Sequence, residues 1–164
     1  MIQFLPLSLF AAWAFRRGVP TDDRWIEAFQ VAAIAALLQL VVVLRRPRPA
    51  NRLVLGANLW LLTGGVAALA QQWWLMRLYG ALAETGIFVF MLAAGVVTTL
   101  ATPTGFVGAV GVPAAAIRRG SLYLLAATLL ALGASVVFRG DRMLAAALPV
   151  MALALFQRTL VTRR

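Results

Sequence analysis

Glu84 lies inside a long apolar run of the sequence, about one helical turn after the run begins at Gly80. An ionisable group inside a membrane span is costly unless it is paired, so it is a functional hypothesis by default. Glu27 and Gln30 lie at a comparable depth in another apolar run. Together these side chains predict a candidate site for a proton or a cation within the membrane.

Arg77 offers a simpler explanation for Glu84. The two residues are seven positions apart, which places them on the same face of a continuous helix after two turns. Both groups could then pair or reach water at the membrane interface, because a long side chain can extend its charge out of the lipid. We expect this interfacial arrangement, and the ion site is its alternative.

The chain has few residues that could do covalent chemistry. It contains no histidine and no cysteine, and all fifteen of its basic residues are arginine. The serines at positions 8, 121 and 135 therefore have no imidazole or amine to activate them, and a zinc ion would lack nitrogen and sulfur ligands. Asp22 and Asp23 with Glu27 come closest to a carboxylate cluster, but a helix cap explains the first two. We predict no enzymatic activity, no cofactor and no metal site.

Amide and small residues within the apolar runs predict contacts between helices. Asn58 and Gln39 lie towards the same ends of two adjacent runs, where their amides can form a hydrogen bond worth about 1 kcal/mol. Gly64 and Gly65 allow two helix backbones to approach closely. We interpret these four residues as packing residues.

The composition is that of a membrane protein. The 164-residue chain is 63% hydrophobic and 12% charged, with a mean hydropathy of +0.91, whereas soluble domains are nearer half apolar and a quarter charged. The apolar residues fall into several runs, each close to the roughly 20 residues that cross a bilayer. Because these runs lack the alternation of barrel strands, we predict an all-α polytopic transmembrane bundle of five or six spans that forms one domain.

Arginine clusters, prolines and glycines divide the chain into these spans. The predicted spans are 2–15, 25–44, 53–70, 80–101, 122–138 and 143–156. Residues 106–117 are apolar but short and rich in glycine, so we expect a re-entrant or interfacial segment there. Pro149 is expected to kink the last span.

The charge balance predicts the orientation of the bundle. Fifteen arginines against five acids give a net charge of +10, and the arginines lie in short clusters between the apolar runs. Such clusters orient membrane proteins, whereas nucleic-acid binding needs a basic face on a soluble scaffold, so we expect no nucleic acid partner. The more basic side, which carries no acid, is predicted to be cytoplasmic together with both termini. Its arginines are Arg45, Arg46, Arg48, Arg52, Arg118, Arg119, Arg158, Arg163 and Arg164. If the first run does not cross, the N-terminus lies outside.

The loop that holds Arg45, Arg46, Arg48 and Arg52 is the most basic one. We interpret this loop as a topology anchor. The alternative is that it binds the head groups of anionic lipids. Each arginine near such a surface contributes about 1 kcal/mol to binding. Membrane lipids are therefore predicted partners of the chain.

The first half of the chain resembles the intracellular septation protein A family, small polytopic inner-membrane proteins of Gram-negative bacteria. The resemblance rests on the run from Gln3 to Leu7, the alanine-rich segment 32–43 with Gln39, the basic loop after it, and the Gly64–Gly65 pair. Family members tend to a Lys-Trp-Lys pattern after these glycines. This chain departs from it with Gln71, Gln72, Trp73, Trp74 and Arg77.

The resemblance implies a non-enzymatic protein of the bacterial inner membrane that acts through contacts with other membrane proteins, in cell division or envelope synthesis. The residues leave two alternatives open. One is a small proton- or cation-coupled transporter or channel subunit that uses Glu84. The other is an accessory subunit of a larger membrane complex.

Single cysteines introduced at Ala50 and Gln72 should be labelled from opposite sides of the membrane, because one loop is predicted to be cytoplasmic and the other is not. The native chain has no cysteine, so an impermeant maleimide applied to intact cells and to inverted vesicles detects each introduced thiol without background. Labelling of both positions from the same side would contradict the predicted orientation.

Overall fold

The computed structural model describes residues 4–19, 21–45 and 50–162 of the chain. Every regular element that these residues form is a helix, which confirms the predicted all-α class. The elements in these ranges are α1 (Leu5–Ala14), α2 (Asp22–Leu44), α3 (Arg52–Leu69), α4 (Trp73–Leu82), α5 (Thr85–Ala101), α6 (Ala114–Val137), a π-helical segment (Met143–Ala147) and α7 (Leu148–Thr162).

Four helices are long and apolar enough to cross a membrane: α2, α3, α6, and the π segment joined to α7. Helices α4 and α5 add a fifth crossing if they form one broken span. The described residues thus form four or five spans, which indicates a multi-pass membrane protein, where the sequence predicts five or six. The first predicted span is shorter than expected, because α1 has ten residues and is about 15 Å long, half the hydrocarbon thickness.

Helix α6 begins at Ala114 and not at Leu122, where the fifth span is predicted to begin. Gly120 and Ser121, which were expected to separate two elements, are buried inside this 24-residue helix. The three alanines that open α6 are strong helix formers, so the helix extends further back than the glycine suggests. The predicted segment 106–117 is therefore divided between a turn and the first residues of α6.

The predicted fourth span, 80–101, is broken near its start. Helix α4 ends at Leu82, and α5 begins at Thr85. Ala83 lies between them with a φ of 48°, a left-handed conformation that costs a residue with a β-carbon about 1 kcal/mol. No glycine or proline marks this position, so the residue pattern could not predict the break.

Helix α3 ends in a sharp turn at a second left-handed residue, Gln71, whose φ is 53°. The Gln72 N–H donates to the Ala67 carbonyl at 2.9 Å, and the Gln71 N–H donates to the Ala68 carbonyl at 3.3 Å. This pair of hydrogen bonds is the Schellman motif, which satisfies the last carbonyls of a helix. The chain therefore turns into α4 directly after the end of α3.

The last span contains a π-helical segment beside Pro149. The Leu148 N–H donates to the Met143 carbonyl, five residues back, and Pro149 is the second residue of α7. Because proline has no N–H, the backbone before it cannot keep the regular α-helical bonds, and the wider π turn takes up the mismatch. The predicted kink site is thus a π segment, and the helix continues past the predicted end at position 156.

Contacts within the chain group it into two compact units. The first unit contains α1, α2, the part of α3 from Ala57 onwards, and α4. The second unit contains Arg52–Gly56 of α3 and all the elements after Ala83.

Aromatic rings form the centre of the first unit. The Phe29 ring lies 4.7 Å from the Phe10 ring, 5.1 Å from the Trp60 ring and 5.3 Å from the Tyr79 ring, measured between centroids. The Trp25 ring packs edge-on against Phe10 at 5.1 Å. Because these five residues come from α1, α2, α3 and α4, the cluster joins all four helices of the unit.

In the second unit, α5 packs against α6, and the turn after α5 folds back onto both. The Phe106 ring of this turn is fully buried. Gly95 of α5 makes room for it, since a β-carbon there would lie 2.6 Å from Phe106 Cε1 and 2.9 Å from Leu125 Cδ2. The Val107 N–H donates to the Ser121 hydroxyl at 3.3 Å, which ties the turn to α6.

Gly64 and Gly65 lie where α3 meets its neighbours in the first unit. A β-carbon on Gly64 would overlap the Phe29 ring and lie 2.9 Å from Tyr79 Cε1. A β-carbon on Gly65 would overlap the Ala33 methyl group and lie 3.0 Å from the Phe29 carbonyl oxygen. Both residues thus occupy the close helix contacts at which the sequence analysis places them.

Replacing Gly65 with alanine should lower the free energy of unfolding by about 1–3 kcal/mol, because the new methyl group overlaps Ala33 and forces α2 and α3 apart. The matched control is Gly133→Ala in α6, where nothing lies within 4 Å of the added carbon. That change should stabilise the helix by about 0.5–1 kcal/mol. Thermal unfolding in mild detergent measures both, and equal effects of the two changes would contradict the close contact.

Candidate functional site

Glu27 joins α2 to the end of α1. Its Oε2 accepts hydrogen bonds from Trp13 Nε1 at 3.2 Å and from Arg16 Nη2 at 3.1 Å. The Arg16 guanidinium also lies over the Trp13 ring, 4.6 Å from its centroid. The Arg16 and Glu27 side chains are 38% and 49% exposed, so their ion pair contributes only about 0–1 kcal/mol. Glu27 is therefore engaged in holding α1 against α2, and Gln30 lies half-buried one turn further along.

Asn58 and Gln39 form the hydrogen bond that the sequence predicts. Asn58 Nδ2 donates to Gln39 Oε1 at 2.8 Å, and Asn58 is 4% exposed. A buried amide without a partner is costly in lipid, so this bond both links α2 to α3 and satisfies the Asn58 side chain.

Tyr79 makes a hydrogen bond that the sequence analysis missed. Its hydroxyl donates to the backbone carbonyl of Trp60 at 3.0 Å, and both side chains are buried. Gly64 follows Trp60 by one helical turn, and its missing side chain leaves the space through which Tyr79 reaches the carbonyl. A glycine one turn after an aromatic residue is the only sequence signal for this contact.

Glu84 lies in the break between α4 and α5, where it occupies the N-cap position of α5. It is partly buried, and its carboxylate makes no hydrogen bond to the start of α5. Among the described residues, it has no hydrogen bond or ion pair. The expected pairing with Arg77 required one continuous helix from 77 to 84, and the end of α4 at Leu82 removes that geometry.

The residue after Glu84 is tied to α6. Ser135 Oγ donates to Thr85 Oγ1 at 3.3 Å, and Ser135 is fully buried. Ser121, Thr128 and Ser135 are seven positions apart, so their hydroxyls follow one buried face of α6. This spacing is visible in the sequence and is the signal that could have predicted a polar seam along α6.

Two buried threonines, Thr98 and Thr128, donate their hydroxyl hydrogen bonds to carbonyls of their own helices. Thr98 Oγ1 donates to the Ala94 carbonyl at 2.7 Å, and Thr128 Oγ1 donates to the Leu124 carbonyl at 2.8 Å. Both side chains are buried. Such bonds allow a hydroxyl to lie in an apolar interior without a partner on another helix.

Arg52 of the predicted basic loop packs against the turn after α5. Its Nη2 donates to Thr104 Oγ1 at 3.4 Å, a long bond, and its Nε is buried without a partner among the described residues. Asn51 Oδ1 caps α3 by accepting from the Leu53 N–H at 3.0 Å. Arg45 is exposed at the end of α2, while Arg46 and Arg48 lie outside the described residues. The role of the loop as an anchor or lipid-binding site stays a prediction.

No protein-family model, no curated protein and no solved structure matches this chain.

The Asn58–Gln39 hydrogen bond should appear as a coupling free energy of about 0.5–2 kcal/mol between the two positions. Asn58→Leu and Gln39→Leu are made singly and together, and unfolding in mixed micelles is followed for each protein. The double variant is expected to lose less stability than the sum of the single variants, since the second change removes an amide that the first has left unpaired. Additive losses would show that the bond does not stabilise the fold.

Proposed function

We propose that this protein is a non-enzymatic component of the bacterial inner membrane that acts through contacts with other membrane proteins. The resemblance in its first half favours a role in cell division or envelope synthesis. The arginine distribution favours cytoplasmic termini.

The use of polar side chains in the spans supports this proposal. Glu27 bonds to α1, Asn58 to Gln39, and Ser135 to Thr85. These bonds hold helices together, which is the ordinary role of polar residues in a membrane bundle. They are compatible with a protein that acts by binding other proteins through its folded surface and not by catalysing a reaction.

Gly133 is the observation that carries the proposal. It is exposed on α6, and nothing lies within 4 Å of the β-carbon that another residue would have there. By contrast, the span glycines Gly56, Gly64 and Gly95 each lie against another part of the chain at distances that exclude a β-carbon. A glycine lowers helix stability, and in membranes such residues mark places where a second helix approaches. We infer that a helix of another membrane protein packs on α6 at Gly133.

Gly133→Leu should abolish the biological function while leaving the amount of folded protein unchanged. The new side chain enters open space within this chain but blocks a second helix. The control is Ala93→Leu, which enlarges an exposed small residue on α5. Each variant is tested for complementation of a deletion strain, scored by cell length and envelope sensitivity beside a membrane immunoblot.

A photo-cross-linking amino acid reports the contact directly. At Leu130, 76% exposed on α6, it should give a discrete protein adduct that Gly133→Leu removes. At the fully buried Leu124 it should react only within the chain. Full complementation by Gly133→Leu, with only lipid adducts at Leu130, would overturn the proposal.

A further inference from the structure

Arg52, the first residue of α3, carries a charge that no described residue balances with an ion pair. Its side chain is partly buried, and its Nε is shielded from water without a hydrogen-bond partner in the part of the chain that the structure describes. Its Nη2 donates the long hydrogen bond to Thr104 Oγ1, at 3.4 Å. Because a cation that is partly removed from water is costly without a counter-ion, an anion next to this guanidinium would be stabilising.

The second unit has no acidic side chain at the end where Arg52 lies. Its two acids, Glu84 and Asp141, lie before the first residue of α5 and after the last residue of α6. Arg52 instead contacts the turn that joins the end of α5 to the start of α6. The 17 residues of α5 and the 24 residues of α6 therefore separate this turn from the two acids, by about 25 Å and about 36 Å along the helix axes. No acidic side chain of this unit can balance Arg52.

The same turn packs against α6 just before two further arginines. A β-carbon on Gly105 would lie 3.0 Å from Ile117 Cγ2, so the turn lies directly against Ile117. Arg118 and Arg119 follow Ile117 in the chain, and both are exposed. Neither forms an ion pair with a described residue. Three arginines and no acidic side chain thus lie where α3 and α6 begin.

This end of the unit lies at the level of the lipid head groups. Helices α3 and α6 are both long and apolar enough to cross a membrane, and they begin at Arg52 and Ala114. The first residues of a span lie at the edge of the hydrocarbon layer, which brings the Arg52 guanidinium close to the phosphate groups of the lipids. Helix α6 is about 36 Å long, more than the roughly 30 Å of hydrocarbon, so its first turn also fits the head-group layer.

We propose that Arg52 and the Thr104 hydroxyl bind the phosphate of an anionic phospholipid, phosphatidylglycerol, and that Arg118 and Arg119 strengthen this binding. A guanidinium can donate two parallel hydrogen bonds to phosphate oxygens. Thr104 Oγ1 accepts from Arg52, so its own O–H is left to donate to the same phosphate. A zwitterionic lipid fits less well, because its ammonium group would lie among arginines with no carboxylate to pair with. The site is separate from the protein contact proposed at Gly133 and does not depend on it.

Phosphatidylglycerol should stabilise the purified protein against heat. In micelles of an uncharged detergent, this lipid at ten times its dissociation constant is expected to raise Tm by about 3–5 °C. The same mole fraction of phosphatidylcholine should raise Tm by less than about 1 °C. Inorganic phosphate should have no effect, because the acyl chains supply much of the binding free energy of a lipid. An equal shift with phosphatidylcholine or with inorganic phosphate would contradict a site for an anionic lipid.

Arg52→Gln should remove the shift in Tm and the phosphatidylglycerol adduct that native mass spectrometry detects. The matched control is Arg17→Gln, which removes the same charge from an exposed residue after α1 and should leave both unchanged. If Arg52→Gln does not fold, the exposed pair Arg118→Gln and Arg119→Gln tests the proposal, with binding weakened about 25-fold, or fivefold for each arginine. Equal responses of the control and either of these variants would show that net charge alone attracts the lipid, and would overturn the site.

Discussion

The hydrogen bond from the Tyr79 hydroxyl to the Trp60 carbonyl holds the first unit in its arrangement. In lipid a buried hydroxyl has no water to bond, so it must reach an oxygen of the protein. The Trp60 carbonyl lies on a helix, where it would ordinarily be shielded by the residue one turn later, but that residue is Gly64. The glycine, the tyrosine and the ring of Phe29 therefore depend on one another, and the packing of α4 against α2 and α3 follows from the three together.

The two acids of the spans, Glu27 and Glu84, illustrate how position decides the role of a charge. Glu27 lies beside the end of α1, where Arg16 and Trp13 both reach it. Glu84 follows an abrupt helix end, and no described residue offers it a donor. Both are carboxylates on apolar segments of the same chain. The first is part of the packing of its unit, whereas the second makes no such contact within the described residues.

Hydropathy and residue type predicted a good part of this structure. The apolar runs of α2 and α3 were located within a few residues, and Asn58 does bond Gln39, because these features depend on local composition and on adjacent helices. The break at Ala83 could not be predicted, because alanine strongly favours a helix. Its left-handed backbone is set by the folded structure and not by its own conformational preference. Gly120 gave the opposite error. It was predicted to end an element, but it lies buried inside α6.

The same limit applies to the candidate site. Glu84 was found from the sequence, since a charge in an apolar run is visible there. The hydrogen bond between Thr85 and Ser135 beside it was not predicted. The two residues are fifty positions apart, and only the packing of α5 against α6 brings them together. Arg77 was expected to pair with Glu84, because both would lie on one face of a continuous helix.

The π segment before Pro149 keeps the last span in phase. Ala145 and Leu153 are both buried, although they are eight positions apart, which in a regular α-helix leaves them about 80° out of register. A π turn holds one residue more than an α turn, so the eight positions count as about seven, or two full turns. The π segment thus accommodates one extra residue within the helix, so no loop is needed to accommodate it. Through it the chain carries a proline across the last span while Ala145 and Leu153 stay on the same buried side.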